Sequence, residues 1–265
     1  MTDLPHVEFP KASPDLEVFG LKFSDGGAHI SRTMMLAELE LVLASVPLES
    51  PAADYRSAIL VDNILGKTTS STRDKSLRHL RELYALDENT PIFAVLRRLV
   101  RVDAGSVALL AFQVAWGRDP LLRATTPAVL PAREGDGVET IGLSKAIQST
   151  FGDQYSELNR DKVARNAASS WTQSGHLVGR TKKARRRVQP SPVAVTLALF
   201  LGDVAGFHGA AVFSNPWCCL LDLDADGARS MAFAAHRAGL LNLRAVGDVI
   251  ELSFPSLSDL YPSSE

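Results

Sequence analysis

Positive charge is concentrated in one stretch of this chain, residues 160–190. Nine basic residues and a single acidic residue, Asp161, lie between Arg160 and Arg187, which gives that window a charge of +8. Because the formal net charge of the whole chain is −2, the residues outside the window sum to −10. Charges at this density have to lie on a solvated surface, and a basic surface on an otherwise acidic protein is typical of binding to a polyanion.

The spacing of residues within the stretch predicts a helix followed by a β-hairpin. Apolar and small residues recur every three or four positions along the helix: Val163, Ala167, Ser170, Trp171 and Ser174. Gly175 is expected to end the helix, since glycine readily adopts positive φ. The segments His176–Gly179 and Arg185–Val188 then flank a basic tip, residues 180–183, which favours two short strands. We therefore predict a winged-helix-like unit.

This unit is expected to contact double-stranded DNA, mainly through the phosphates. Four helix residues are predicted to face the major groove: Arg165, Asn166, Ser169 and Gln173. The other candidate contacts are cations of the helix and the hairpin: Arg160, Lys162, Arg180, Lys182, Lys183, Arg185, Arg186 and Arg187. If about six cations meet phosphates, the logarithm of affinity should fall with the logarithm of salt concentration at a slope of roughly −5. Three alternatives remain: a solvated surface, a hairpin that docks an acidic protein partner, and an RNA-binding or transcriptional regulatory helical factor.

A second basic segment follows the pattern of a helix-turn-helix. Ser50-Pro51 predicts the start of one helix, and the hydroxyl residues at positions 68–71 predict the start of another that runs from Thr72 to Tyr84. Four cations here are candidates for a second nucleic-acid contact: Lys67, Arg73, Arg78 and Arg81. The alternative is an ordinary helical hairpin with solvated arginines. A phosphate-binding P-loop ending at Gly66-Lys67-Thr68 is not expected, because Val61 stands where that motif needs a glycine.

The remaining pattern predicts a mainly α protein with two helical domains and short β-hairpins. We expect an N-terminal extended arm over residues 1–22, a helical domain with the helix-turn-helix-like segment over 23–130, and a winged-helix-like C-terminal domain over 138–265. The boundary is placed at residues 127–137, which hold two prolines and two glycines. Further helices are predicted over residues 31–46, 90–102, 106–116, 119–124, 139–150, 193–204 and 226–238, and a second hairpin over residues 240–254.

The sequence contains no pattern that is specific for catalysis, and we predict a non-enzymatic protein without a metal or cofactor. The six histidines are scattered, and the adjacent Cys218 and Cys219 are poorly placed for a disulfide or a zinc site. Residues 222–227 (DLDADG) open like a calcium loop, but Phe233 stands where that loop needs a glutamate. A nuclease is disfavoured because no cluster of carboxylates lies in the basic region.

We expect a cytoplasmic protein that does not enter a membrane. The first twenty residues carry acids and prolines instead of a basic region followed by an apolar run, which argues against a signal peptide. The longest apolar stretch, Val193–Leu201, is far shorter than the ~20 residues that a membrane-spanning helix needs.

The order of several short motifs resembles the protein A family of the BREX (bacteriophage exclusion) defence systems, over roughly residues 20–254. The motifs are Asn63–Lys67, Ser70–Arg73, Leu80–Leu83, Lys162, Ser169–Trp171, Gly175–Leu177, Arg237–Leu241 and Val246–Val249. The resemblance implies a small, mainly helical, DNA-binding protein with a fold similar to that of the helical antitermination factor NusB. It also implies a non-enzymatic accessory role beside a complex that contains a methyltransferase and an ATPase. Duplex DNA and other phage-defence proteins are therefore the expected partners.

Overall fold

A computed structural model describes residues 8–246 and 249–262 of the protein. Within these residues twelve α-helices are joined by short loops and 3₁₀ turns, and the strands form two antiparallel pairs. The prediction of a mainly α fold is confirmed.

The first half of the chain contributes seven helices. They are α1 (Pro14–Phe19), α2 (Leu36–Ser45), α3 (Ala52–Leu60), α4 (Ser70–Tyr84), α5 (Pro91–Val102), α6 (Val107–Arg118) and α7 (Pro120–Arg123). Several of them begin where side chains satisfy the free N–H groups of the first turn: Thr69 accepts from Thr72 at the start of α4, and Asp119 accepts from Leu122 at the start of α7. Proline stands at the first position of α1, α5 and α7, where its missing N–H costs no hydrogen bond.

The second half begins with the unit that carries the basic stretch. Its elements are α8 (Thr140–Phe151), α9 (Glu157–Gln173), β1 (Leu177–Val178), β2 (Ala184–Arg185), α10 (Pro192–Val204), α11 (Pro216–Leu220), α12 (Ala225–Arg237), β3 (Asn242–Val246) and β4 (Val249–Ser253). The Ser156 side chain caps the start of α9, and Gly175, with φ of +90°, follows its end. The helix predicted to end at Gly175 and the hairpin predicted after it are both confirmed.

The hairpin of β1 and β2 has a third segment beside it. Leu177 pairs with Arg185 and Val178 with Ala184 across the hairpin. On the other edge of β2, Gly137 forms an antiparallel bridge with Ala184, and the Val138 N–H donates to the Lys183 carbonyl at 2.8 Å. The chain just before α8 therefore lies against β2, and β2 is the middle segment of the three.

One hydrophobic core extends through both halves of the chain. The turns of α10 from Val193 to Gly202 are buried on all sides, and α10 packs against α5, α6, α11 and α12. Buried residues from Leu16 to Leu260 belong to a single hydrophobic cluster. The boundary predicted at residues 127–137 therefore does not separate two cores.

The N-terminal segment departs from the prediction of an extended arm. Residues 14–19 form α1, whose Leu16 and Phe19 are buried, so the described part of this segment packs into the core. Helix α1 forms because Ser13 caps it, Pro14 opens it and Gly20, with φ of +113°, ends it. Residues 1–7 of the predicted arm lie outside the described residues, as do Gly247 and Asp248 of the second predicted hairpin.

Candidate nucleic-acid interface

Helix α9 presents an exposed stripe that begins with two cations. Lys162 and Arg165 are exposed, and Ser169 and Thr172 continue the same stripe at the spacing of three and four residues that places side chains on one helical face. The ten residue steps from Lys162 to Thr172 span about 15 Å along the helix axis. The stripe thus supplies a straight edge of positive and hydroxyl side chains.

Lys183 joins the hairpin to the end of this stripe. Its Nζ donates to Thr172 Oγ1 at 2.8 Å and to the Gly179 carbonyl at 3.3 Å. Burial lowers the pKa of this half-buried lysine. Lys183 therefore positions the basic tip against the C-terminal turn of α9, and its ammonium group is partly committed to that contact.

The tip itself is exposed. Arg180, Thr181 and Lys182 are all exposed, and Gly179 makes the turn possible with φ of +103°. A Cβ atom at Gly179 would overlap the Lys182 carbonyl oxygen, so the turn requires glycine at this position. Arg180 and Lys182 consequently extend into solvent from a tightly closed loop.

Arg186 and Arg187 follow the second strand and are also exposed. Arg186 Nε donates to the Gly175 carbonyl at 3.1 Å, close to the C-terminal end of α9. A cation at this end interacts favourably with the helix dipole. Arg186 is thereby fixed beside the stripe of α9.

Together these side chains form what we term the basic ridge. Its six members are Lys162, Arg165, Arg180, Lys182, Arg186 and Arg187. Over the described ranges 8–246 and 249–262, none of the six forms an ion pair with an acid. The nearby acid Asp161 is half-buried and accepts a hydrogen bond from Ser144 Oγ at 2.8 Å. The positive charge of the ridge is therefore left to solvent.

Arg185 does not belong to this surface. Its side chain is buried and donates to Asp222 and to the His176 and Arg186 carbonyls, while Asp222 Oδ2 also accepts from the Val188 N–H at 2.9 Å. The prediction that Arg185 faces phosphates is wrong, because its charge is paired inside the protein. Arg185 pairs with the buried Leu177 across the hairpin and lies on the buried side with it, whereas Arg186 follows the strand and is exposed.

Arg160, another predicted nucleic-acid contact, also lies away from the exposed stripe of α9. It lies on the same face of α9 as Ala164, Ala167 and Trp171, which are buried, and so on the side away from the ridge. Its guanidinium donates to the Tyr155 carbonyl at 2.6 Å and is half-buried. Arg160 therefore closes the turn before α9 and does not extend the exposed stripe.

The chain segment 28–36 covers a second face of α9. Asn166 Nδ2 donates to the His29 carbonyl at 2.8 Å, and Gln173 Oε1 accepts from the Leu36 N–H at 3.2 Å. Between them, Ser170 Oγ accepts from the Met34 N–H at 2.8 Å. The prediction that Asn166 and Gln173 face a DNA groove is wrong in geometry, since both amides are engaged by the protein's own backbone.

Ser170 also belongs to a buried Ser-His-Asp arrangement that the sequence did not reveal. His29 Nδ1 lies 2.7 Å from Asp119 Oδ2, and His29 Nε2 lies 2.8 Å from Ser170 Oγ. Burial alone raises the pKa of Asp119, but the His29 ring and two backbone N–H groups lower it overall. All three side chains are almost completely buried, and Ser170 Oγ is surrounded by the His29 ring, the Met34 N–H and the Asn166 carbonyl. The arrangement therefore holds segment 28–36 to α9 and α7.

The four cations predicted in the second basic segment separate into two groups. Lys67 forms an ion pair with Glu38 at 3.0 Å, and Arg73 donates to the Leu60 carbonyl at 2.8 Å at the end of α3, so both are engaged within the fold. Arg78 and Arg81 are exposed on α4. Only these two of the four remain available to an external anion.

The two cysteines, the possible metal ligands and the helices of the described residues bear on the predicted absence of a disulfide, a metal site and a membrane-spanning helix. Cys218 and Cys219 are free and buried, and burial raises the pKa of the Cys219 thiol to about 11. Among the described residues, no group of three or more His, Cys, Asp or Glu side chains is placed to hold a metal ion. In the same part of the chain, none of the helices has both the length and the apolar character needed to cross a membrane.

None of the known protein-family models matches this chain, and none of the curated proteins matches it.

Proposed function

We propose that this protein binds duplex DNA through the basic ridge, with contacts mainly to phosphates, as a non-enzymatic accessory of a BREX-like phage-defence system. The observation that carries the proposal is the ridge itself: six exposed cations on one helix-hairpin unit, without an acidic partner in the described residues. Phosphate contacts of this kind supply most of the affinity in sequence-independent DNA binding.

The order of elements around the ridge supports the proposal. A segment at residues 135–138 precedes α8 and α9, the hairpin follows, and β2 lies between that segment and β1. This is the order of a winged-helix unit, in which the second helix approaches the major groove and the hairpin lies along the backbone. In the present chain α9 and the basic tip, residues 180–183, would take these two positions.

The amide side chains of α9 bond to the protein's own backbone, which favours binding to DNA phosphates over recognition of bases. Asn and Gln recognise adenine through paired hydrogen bonds in the major groove. Asn166 and Gln173 already bond to backbone groups of segment 28–36, whereas Lys162 and Arg165 are exposed. Cations that contact phosphates position a protein on DNA but carry little sequence information.

Titration of a labelled duplex over a range of salt concentrations tests the proposal. With six cations on phosphates we expect a slope of about −5 for log affinity against log salt, and about −4 or shallower for the double variant K162A/R165A. The matched control is R229A/R237A, which removes two exposed cations from α12, outside the ridge. Equal slopes in the protein, K162A/R165A and R180A/K182A/R187A would overturn the proposal.

Competition and co-purification address the other expected partners. Structured RNA should compete less well than duplex DNA, because the ridge lacks aromatic side chains on which the unpaired bases of RNA loops could stack.

The proposed place in a phage-defence system rests on the motif resemblance, and retention of the protein with a methyltransferase-containing complex from cells would support it. An absence of salt-dependent DNA binding together with such retention would instead favour a protein-interaction subunit.

A further inference from the structure

Three arginines from two helices line one shallow cavity on the surface. Arg78 and Arg81 lie about one turn apart on α4, and Arg56 lies across from them on α3, which packs against α4. The cavity has a volume of about 330 Å³, and the buried Leu77 and the exposed Asp74 complete its lining. We term this cavity the arginine notch.

The notch carries excess positive charge. Arg56, Arg78 and Arg81 are exposed, and across the residues that the structure describes none of them forms an ion pair. Asp74, the single acid of the lining, accepts a hydrogen bond from Ser70 Oγ at 3.3 Å. Three guanidinium groups against one carboxylate repel one another, and an anion in the notch would relieve that repulsion.

A buried cation beneath α4 removes an obstacle to anion binding. The notch lies towards the C-terminal end of α4, where free carbonyl groups and the helix dipole would repel an anion. Arg118 donates to the carbonyls of Arg81 and Glu82, each at 3.3 Å, and so offsets the negative end of the helix. Burial lowers the pKa of Arg118 to about 10, so the guanidinium still carries its charge near neutral pH.

We propose that the arginine notch binds a phosphate group. Guanidinium groups present fixed forks of N–H donors that match phosphate oxygens in pairs, so several arginines around one small cavity suit the oxygens of a phosphate group. The phosphate belongs either to a nucleic-acid backbone or to a free phosphate compound. The notch is built from α3 and α4, so this inference does not depend on the role proposed for the basic ridge on α9.

Calorimetric titration of the full chain with pyrophosphate tests the proposal. We expect binding to the unmodified protein and a loss of affinity on the order of tenfold or more in R78A/R81A and in R56A. R78K/R81K should bind with intermediate affinity, since lysine keeps the charge but loses the paired donors. The control R229A/R237A should bind pyrophosphate as the unmodified protein does, because both of these arginines lie on α12.

Duplex DNA titrated in parallel identifies the source of the phosphate. A decrease of about 2 in the magnitude of the salt slope for R78A/R81A assigns the notch to nucleic-acid backbone. An unchanged DNA slope with lost pyrophosphate binding assigns it to a free phosphate compound. Absence of pyrophosphate binding, or equal affinity in R78A/R81A and the unmodified protein, would overturn the proposal, whereas failure of the ridge would show only in the DNA slope of K162A/R165A.

Discussion

Arg185 and Asp222 form an ion pair whose side chains are only 1% and 2% exposed. The pair joins strand β2 to the turn between α11 and α12, and Asp222 adopts a positive φ of 60° at that turn. The most basic run of the chain, Arg185-Arg186-Arg187, therefore divides into one arginine that anchors the hairpin to the core and two that face solvent. The anchor fixes where the exposed cations lie.

Arg185→Ala is expected to destabilise the protein strongly. The change leaves the Asp222 carboxylate buried without its partner, which typically costs about 3–5 kcal/mol of unfolding free energy. Chemical denaturation followed by circular dichroism measures this loss. Arg187→Ala is the matched control and should change stability by less than about 0.5 kcal/mol, because Arg187 is exposed. Equal stabilities of the two variants would contradict a buried ion pair.

Ser170→Ala should cost more stability than Ser169→Ala. Loss of the Ser170 hydroxyl removes the partner of the Met34 N–H and of the His29 ring, and each buried polar group left unpaired costs about 1–3 kcal/mol. Ser169 is half-buried and its hydroxyl donates only to the Arg165 carbonyl one turn earlier. Unfolding free energies from urea titration provide the comparison. An unchanged unfolding free energy in Ser170→Ala would contradict the view that this cluster holds segment 28–36 to α9 and α7.

Local signals in the sequence were sufficient to predict most helices. Helix starts follow from caps and prolines, and the end of α9 follows from Gly175, because these features act within one turn of the chain. The period of apolar residues likewise predicted the buried face of α9. The exposed positions Lys162 and Arg165 were therefore predictable from the sequence.

Contacts distant in sequence could not be predicted in the same way. Asn166 and Gln173 are polar and fit an exposed face by spacing, but segment 28–36 covers them from 137 residues away. A run of three arginines likewise does not reveal which member is buried, since the partner Asp222 lies 37 residues beyond Arg185. The polar spacing of Asn166, Ser170 and Gln173 was the one available hint of a second contact face.

The stability of the protein should fall between about pH 6.5 and pH 4 because of His176. This ring is fully buried, with Nδ1 2.8 Å from Ser174 Oγ and Nε2 2.7 Å from the Leu220 carbonyl. Burial lowers the pKa of His176 from 6.5 to about 4. The unfolded chain thus binds a proton in this window before the folded protein does, which reduces the free energy of unfolding as the pH falls, by about 3 kcal/mol in total.

Replacement of the ring isolates this contribution. His176→Gln should lower stability at neutral pH but flatten the pH dependence between about pH 6.5 and pH 4, because the titrating group is gone. Urea denaturation at several pH values gives the two curves. Parallel curves for the variant and the unmodified protein would assign the acid sensitivity to other groups.

Removal of the two amides of α9 separates a structural role from a base-reading role. In N166A/Q173A the His29 carbonyl and the Leu36 N–H at the start of α2 lose their partners, which should lower the unfolding free energy by about 1–3 kcal/mol. Affinity for duplex DNA should stay within about twofold, since neither amide is available to a base. K162A/R165A should show the opposite pattern, with weakened DNA binding and little change in stability, because both of its side chains are exposed. If N166A/Q173A instead lost affinity for particular sequences while keeping its stability, segment 28–36 would have to leave α9 on binding, and the amides would then read bases.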